Sequence, residues 1–198
     1  MASFTRFIYL CANGAGQFLN RDELARNTGV DNKTILSWLG LLDNSYITFQ
    51  LQPWFNNGNK RIIKSPKLYF TDTGLLCFLL GINNKTALRK HPLYGFIFEN
   101  WIIGEVRKNR LNAGITDNLY FLRDSGGNEI DLIFQKNDEL FGVEIKATNK
   151  IDSSVIKGLN YWHKNQPKAN ALLVYGGKES YELNPAQHAL SWKHINDL

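Results

Sequence analysis

Apolar residues between Phe4 and Cys11 recur at helical spacing and stop at the breaker Gly14-Ala15-Gly16. Asn20 then precedes Arg21-Asp22-Glu23-Leu24-Ala25, the order of an N-cap followed by early acids, and Asn27-Thr28-Gly29 closes this second helix. A third helix starts at Asp31-Asn32-Lys33-Thr34 and presents Ile35, Leu39 and Leu42 on one face. The pattern changes to strand-like runs at Ile47–Trp54 and Arg61–Tyr69, separated by a polar loop, and returns to a short apolar helix at Asp72–Ile82. Asn83 to Pro92 is the one polar stretch long enough for a linker, which places the domains at 1–84 and 85–198.

After it, Phe96, Ile97, Trp101, Ile102 and Val106 mark a long amphipathic helix over Leu93–Leu111, closed by Asn112-Ala113-Gly114. Glu99 falls in its apolar half. A buried carboxylate costs several kcal/mol unless it is paired or bound to metal, so Glu99 is expected to have a partner, a core lysine, arginine or backbone group on the plainer reading. Leu119–Arg123 reads as a strand, Ser125-Gly126-Gly127 as a turn, and Ser153–His163 as an amphipathic helix with Lys157 and Tyr161 on one face. Ala171–Tyr175 is continuously apolar, as in a sheet covered on both sides, and Ser191 to Ile195 is expected to add an edge element.

Two helices joined by a short turn at Gly29, followed by two strands, predict a winged helix-turn-helix. In a DNA-binding version the third helix leads with Asn32, Lys33, Ser37 and Trp38, and the wing offers Asn56, Asn57, Asn59, Lys60, Arg61 and Lys64 to phosphates. The competing reading is a protein-docking module with Trp38 packed; Lys60, Arg61, Lys64 and Lys67 would then grip a neighbouring domain.

Between Gly127 and Thr148 the pattern is a β-hairpin, two apolar runs around Lys136-Asn137-Asp138-Glu139. Val143-Glu144-Ile145-Lys146 alternates strictly, so Glu144 and Lys146 share a face, and antiparallel pairing brings Asp131 within reach of Glu144. Two convergent carboxylates suit a hard cation such as Mg²⁺, and a lysine beside it can place a water for attack on a phosphodiester. The plainer alternative is a solvated sheet face with one surface ion pair.

The order Glu99, Asp131, Glu144-Ile145-Lys146 resembles the PD-(D/E)xK nuclease superfamily, with Ile130 where its name-giving motif has proline. The runs Lys60 to Leu76, Gly95 to Asn100 and Gly127 to Lys146 resemble the C-terminal region of a group of prokaryotic AAA+ ATPases. The resemblance implies an α/β architecture, an N-terminal winged helix-turn-helix followed by a restriction-endonuclease-like mixed-sheet domain. It further implies Mg²⁺ or Mn²⁺ on Asp131, Glu144 and the Ile145 carbonyl, Lys146 positioning water, and Glu99 supporting the metal or a second ion. Tyr161 corresponds to the tyrosine of a Gln-x-x-x-Tyr pattern in which Lys157 replaces glutamine; Lys157 is carried over as a phosphate contact. The implied function is a metal-dependent DNA endonuclease module, the alternative a catalytically inert DNA- or protein-binding regulatory module.

Charge sharpens the DNA expectation. The net charge is +5, and it is uneven, with residues 1–90 at +6 and residues 91–198 at −1. Cys11 and Cys77 lie in apolar patterns without metal-ligand spacing and are expected to be core thiols. No apolar run approaches a membrane span and no leader pattern is visible, so a cytoplasmic setting without a membrane partner is expected. There is no Gly-x4-Gly-Lys-Ser/Thr run, hence no phosphate-loop ATP site, and the ATPase domain is expected to lie outside these residues. The four histidines make no hydrolase motif with a neighbouring serine or cysteine. Self-association, DNA against RNA, and the substrate's form are left open by the sequence.

Overall fold

A computed structural model describes residues 2–55, 63–153 and 155–198. The fold is mixed α/β, with seven α-helices and eight strands among the described residues. The chain divides into two compact units, residues 1–51 with 65–104, and residues 52–64 with 105–198.

In the first unit, α1 (Ala2–Asn13), α2 (Arg21–Thr28) and α3 (Asn32–Asn44) precede β1 (Thr48–Pro53), β2 (Lys67–Phe70), α4 (Thr73–Leu79), α5 (Lys85–Lys90) and the start of α6 (Tyr94–Asn112). Short polar caps fix where four of these helices begin: Asn20 accepts from the Glu23 amide, Asp31 from Thr34, Asp72 from Leu75 and Asn84 from Ala87. Gly29, at φ 73°, turns the chain out of α2 in the left-handed region. Ile35, Leu39 and Leu42 pack with Phe7 and Cys11 of α1, Leu68 and Phe70 of β2, and Leu76 of α4 in one core. Thr48–Leu51 of β1 pairs antiparallel with β2. The side-chain amide of Asn100 then clamps α6 to β2, accepting from the Phe70 N–H and donating to its carbonyl, both at 2.8 Å.

The second unit holds β3 (Tyr120–Arg123), β4 (Glu129–Lys136), β5 (Glu139–Lys146), α7 (Lys157–Asn165), β6 (Asn170–Tyr175), β7 (Tyr181–Asn184), β8 (Gln187–Ser191) and a closing 3-10 turn, Trp192–Asp197. Its strands run in the order β3-β4-β5-β6-β8-β7, with Gln52 and Pro53 of β1 parallel to β3. β5, β6 and β8 are mutually parallel, and α7 is the crossover that parallel pairing of β5 with β6 requires. Leu159 and Trp162 of α7 pack on Ile133, Ala171, Leu173 and Ala189.

Several boundaries differ from the sequence expectation. The 83–92 stretch is not an unstructured linker, because Asn84 caps α5 within it. The second strand of the first unit is only Lys67–Phe70, and the wing positions Asn56, Asn57, Asn59, Lys60 and Arg61 lie outside the described residues. The helix expected from Ser153 begins at Lys157, since Asp152 and Val155 close a local turn first. β7 was not anticipated, and Ser191 ends a strand rather than starting an edge element.

Candidate functional site

The hairpin is turned by Asn137 and Asp138, at φ 49° and 63°, between the paired residues Lys136 and Glu139. Two consecutive left-handed residues are what a tight two-residue hairpin turn needs, and Asn and Asp tolerate them. This turn sets the register through Leu132 opposite Val143, so Asp131 and Glu144 emerge on the same face. Beyond that pair the Asp131 side chain takes over from the backbone ladder: its Oδ2 accepts the Ile145 N–H at 2.7 Å. Lys146 Nζ lies 2.5 Å from Glu144 Oε1 and 3.7 Å from Asp131 Oδ2. The structure thus brings Asp131, Glu144, Ile145 and Lys146 together as the spacing suggested.

Both carboxylates are buried, whereas the Lys146 side chain is 38 % exposed. Glu144 Oε2 is buried and has no hydrogen-bond partner. Burial, and then the neighbouring Asp131 charge, push the Glu144 carboxyl up to about 8, against the opposing pull of Lys146. Nearby, Glu129 is ion-paired with Arg123.

The rest of the neighbourhood is built by α7 and the β3–β4 turn. Asp124 accepts from the Gly126 and Asn128 amides at 2.9 and 3.0 Å, and its Oδ2 accepts from the Tyr161 hydroxyl at 2.8 Å. Burial pushes Asp124 up, but hydrogen bonds from Asn128, Tyr161 and Gly126 outweigh it and hold the carboxyl below its ordinary value. Burial and the same bond push Tyr161 up to about 12, keeping it a donor. Lys157 is exposed on the first turn of α7. Sequence reasoning overlooked Asp124 and Gly158. The run Asp124-Ser125-Gly126-Gly127-Asn128 was a usable signal for a side-chain-capped turn; nothing in the spacing pointed to Gly158.

Glu99 belongs to the first unit and is held there. Its Oε1 accepts from Lys67 Nζ at 3.0 Å and from the Tyr69 hydroxyl at 2.6 Å, all three residues being buried. Lys67 is therefore a core residue, and its expected grip on a neighbouring domain is corrected. The two motifs Lys60 to Leu76 and Gly95 to Asn100 meet through this cluster and the Asn100 clamp.

On α3, Lys33 and Ser37 are exposed as expected, beside exposed Leu36 and Leu41. Trp38 is half-buried, with its ring 5.1 Å from that of Phe4 and 5.3 Å from that of Phe7, and so packs instead of leading the helix outward. Asp22, Glu23 and Asp31 are exposed around the beginnings of α2 and α3, while exposed cations stand at Lys64 and on α5 at Lys85, Arg89 and Lys90. No helix among the described residues is long and apolar enough to cross a membrane.

Comparison with known proteins gives two family matches. Residues 1–86 match the family "Domain of unknown function (DUF8612)" and residues 94–195 match "Domain of unknown function (DUF4143)". The chain is similar to uncharacterised proteins of Mycobacterium tuberculosis and Mycobacterium bovis, each 31% identical over 204 residues. Each alignment covers 100% of this chain and 45% of the relative, so the chain spans about half the length of the relatives it matches.

The chain belongs to the DUF4143 family, whose domain occurs at the C-terminus of AAA-ATPase-like proteins.

Proposed function

We propose that in this DUF4143 member the second unit is a metal-dependent phosphodiester-cleaving module of an AAA-ATPase-like protein, with a restriction-endonuclease-like fold. Asp131, Glu144 and Lys146 carry its chemistry. The observation that carries the reading is the buried, unbonded Oε2 of Glu144 beside a second carboxylate. A structural carboxylate is ordinarily given donors; a pair left short of them is the arrangement a divalent cation relieves. The donor set fits a hard ion, with Asp131 and Glu144 supplying oxygens, the Ile145 carbonyl adjacent, and remaining positions open to water and phosphate. Bound Mg²⁺ or Mn²⁺ would supply charge neutralisation at a phosphate and acidify a water. Lys146, within ion-pair reach of both carboxylates and partly exposed, would be placed to orient such a water. Lys157 offers a phosphate contact, while the Tyr161 hydroxyl is committed to Asp124. Glu99 is the first unit's core carboxylate and is left out of the reaction.

The test is divalent-dependent nicking of supercoiled, linear and branched DNA by the purified chain. Wild type is expected to cleave, Asp131→Asn and Glu144→Gln to lose activity with Mg²⁺, and Lys146→Ala to retain metal binding without turnover. Cleavage that persists in Asp131→Asn would falsify the assignment.

A second reading concerns the first unit, read as a winged helix. The exposed Leu36 and Leu41 on α3, with Asp31 at its leading end and Asp22 and Glu23 on the first turn of α2, favour protein docking for that face over duplex contact. The AAA-ATPase-like portion is the partner proposed for it. Duplex contact would then rest on exposed cations away from α3, Lys64 and those of α5 among them, and charge reversal at Lys85, Arg89 and Lys90 should flatten the salt dependence of DNA affinity while Lys33→Glu leaves it unchanged. The reverse result would return α3 to the DNA.

A further inference from the structure

We infer that Gly158 is a positioning residue for the Glu144 carboxylate: the missing side chain at 158 is what lets that carboxylate lie against the first turn of α7. Its consequence for metal rests on the reading above; its geometry does not.

A Cβ at position 158 would stand 2.8 Å from the Glu129 carbonyl oxygen and 2.9 Å from Glu144 Cδ, and closer still to Glu144 Oε2. Contacts this short are not tolerated in packed proteins, so the helix or the carboxylate would have to give. The helix is the stiffer of the two. Three consecutive residues tie it to three different places: Asn160 Oδ1 accepts from Gln187 Nε2 of β8 at 2.9 Å, Tyr161 donates to Asp124 at 2.8 Å, and Trp162 Nε1 donates to the Asn170 carbonyl of β6 at 3.1 Å. Trp162 is also sealed against Gly142 of β5, where a Cβ would enter its ring. Glu129 is part of the β3–β4 ladder, opposite Arg123. What remains free to turn is the Glu144 side chain, whose rotation would carry its oxygens away from Lys146 and from the face it shares with Asp131. Gly158 thus acts through Glu144, and Asn160, Tyr161 and Trp162 act by holding Gly158 in place.

The test uses the full chain labelled with ¹³C at glutamate carboxyls, with Glu144→Gln identifying the Glu144 δ-carbon resonance. In metal-free Gly158→Ala this resonance is expected to move, and Mn²⁺ affinity to fall by about 10- to 100-fold, the range for residues that orient a ligand. The melting temperature should fall too, although Gly→Ala in a helix ordinarily stabilises. Should Gly158→Ala fail to fold, Glu144→Asp supplies the second route: shortening the carboxylate makes room, so the same Gly158→Ala change should cost less in that background. An unmoved resonance, or an equal cost in both backgrounds, overturns the role of Gly158. Wild type that binds no Mn²⁺ overturns the metal reading instead, and the resonance still decides the positioning.

Discussion

Glu99 and Glu144 are both buried glutamates beside a lysine, yet their surroundings are unlike. Glu99 sits between Lys67 and Tyr69, which both donate to the same oxygen. Glu144 shares its lysine with a second carboxylate and leaves one buried oxygen without a donor. The first arrangement offsets the cost of burying charge with donors from its own unit; the second leaves part of that cost standing. Asp124, the remaining buried carboxylate among the described residues, is likewise well supplied with donors, and a local deficit of donors is the kind of cost that functional sites carry. Burial alone therefore does not mark a site carboxylate; the balance of donors around it does.

The largest effect expected from this contrast is on stability. Glu99→Ala leaves Lys67 buried without its carboxylate and should destabilise the first unit by about 3–5 kcal/mol, measured by denaturant unfolding without metal. Glu144→Gln, which replaces a carboxyl short of partners with an uncharged group of the same shape, should be neutral or stabilising under the same conditions. Equal losses in the two variants would erase the contrast.

Next in size is the hydroxyl that completes the Glu99 cluster. Tyr69→Phe deletes a 2.6 Å hydrogen bond to a carboxylate and should cost about 1.5–3 kcal/mol. If the loss is negligible, Lys67 alone satisfies Glu99, and the two carboxylates differ less than the geometry indicates.

A smaller, graded effect is the pH dependence. The Glu144 carboxyl is pushed from its ordinary value up to about 8, so the folded chain holds a proton that the unfolded chain has released. The sign follows: stability should fall as pH rises from about 4.5 towards 8 and level off above. Glu144→Gln should lack that slope. Matching slopes in wild type and variant, followed by chemical denaturation across that range, would remove Glu144 as the titrating group.

Much of this contrast was legible before any coordinates. The alternation of Val143 to Lys146 and the Asn137-Asp138 turn were sufficient to align Asp131 with Glu144, because a two-residue turn permits few registers. The position of Glu99 within an apolar helical stripe announced its burial. Its choice of partner was not legible, since Lys67 is 32 residues away and read equally well as a surface cation. The start of α7 was misplaced because Asp152 offers an equally good local turn, and Gly158 was invisible because its importance lies in what a distant strand puts beside it. The 83–92 stretch looked like a linker by composition, yet one capping asparagine turns it into a helix. On α3 the spacing located the buried face correctly, but the packing of Trp38 depends on Phe4 and Phe7 of another helix.

The central claim is that the Asp131–Glu144 pair is completed by a divalent cation. Calorimetric titration of the metal-free chain with Mn²⁺, run at several pH values, addresses it most directly. One ion per chain is expected, with proton release and an affinity rising up to about tenfold per pH unit below pH 8. Asp131→Ala should abolish binding, while Glu99→Gln should leave it intact. No heat of binding in the wild type, or binding that survives Asp131→Ala unchanged, would contradict the account.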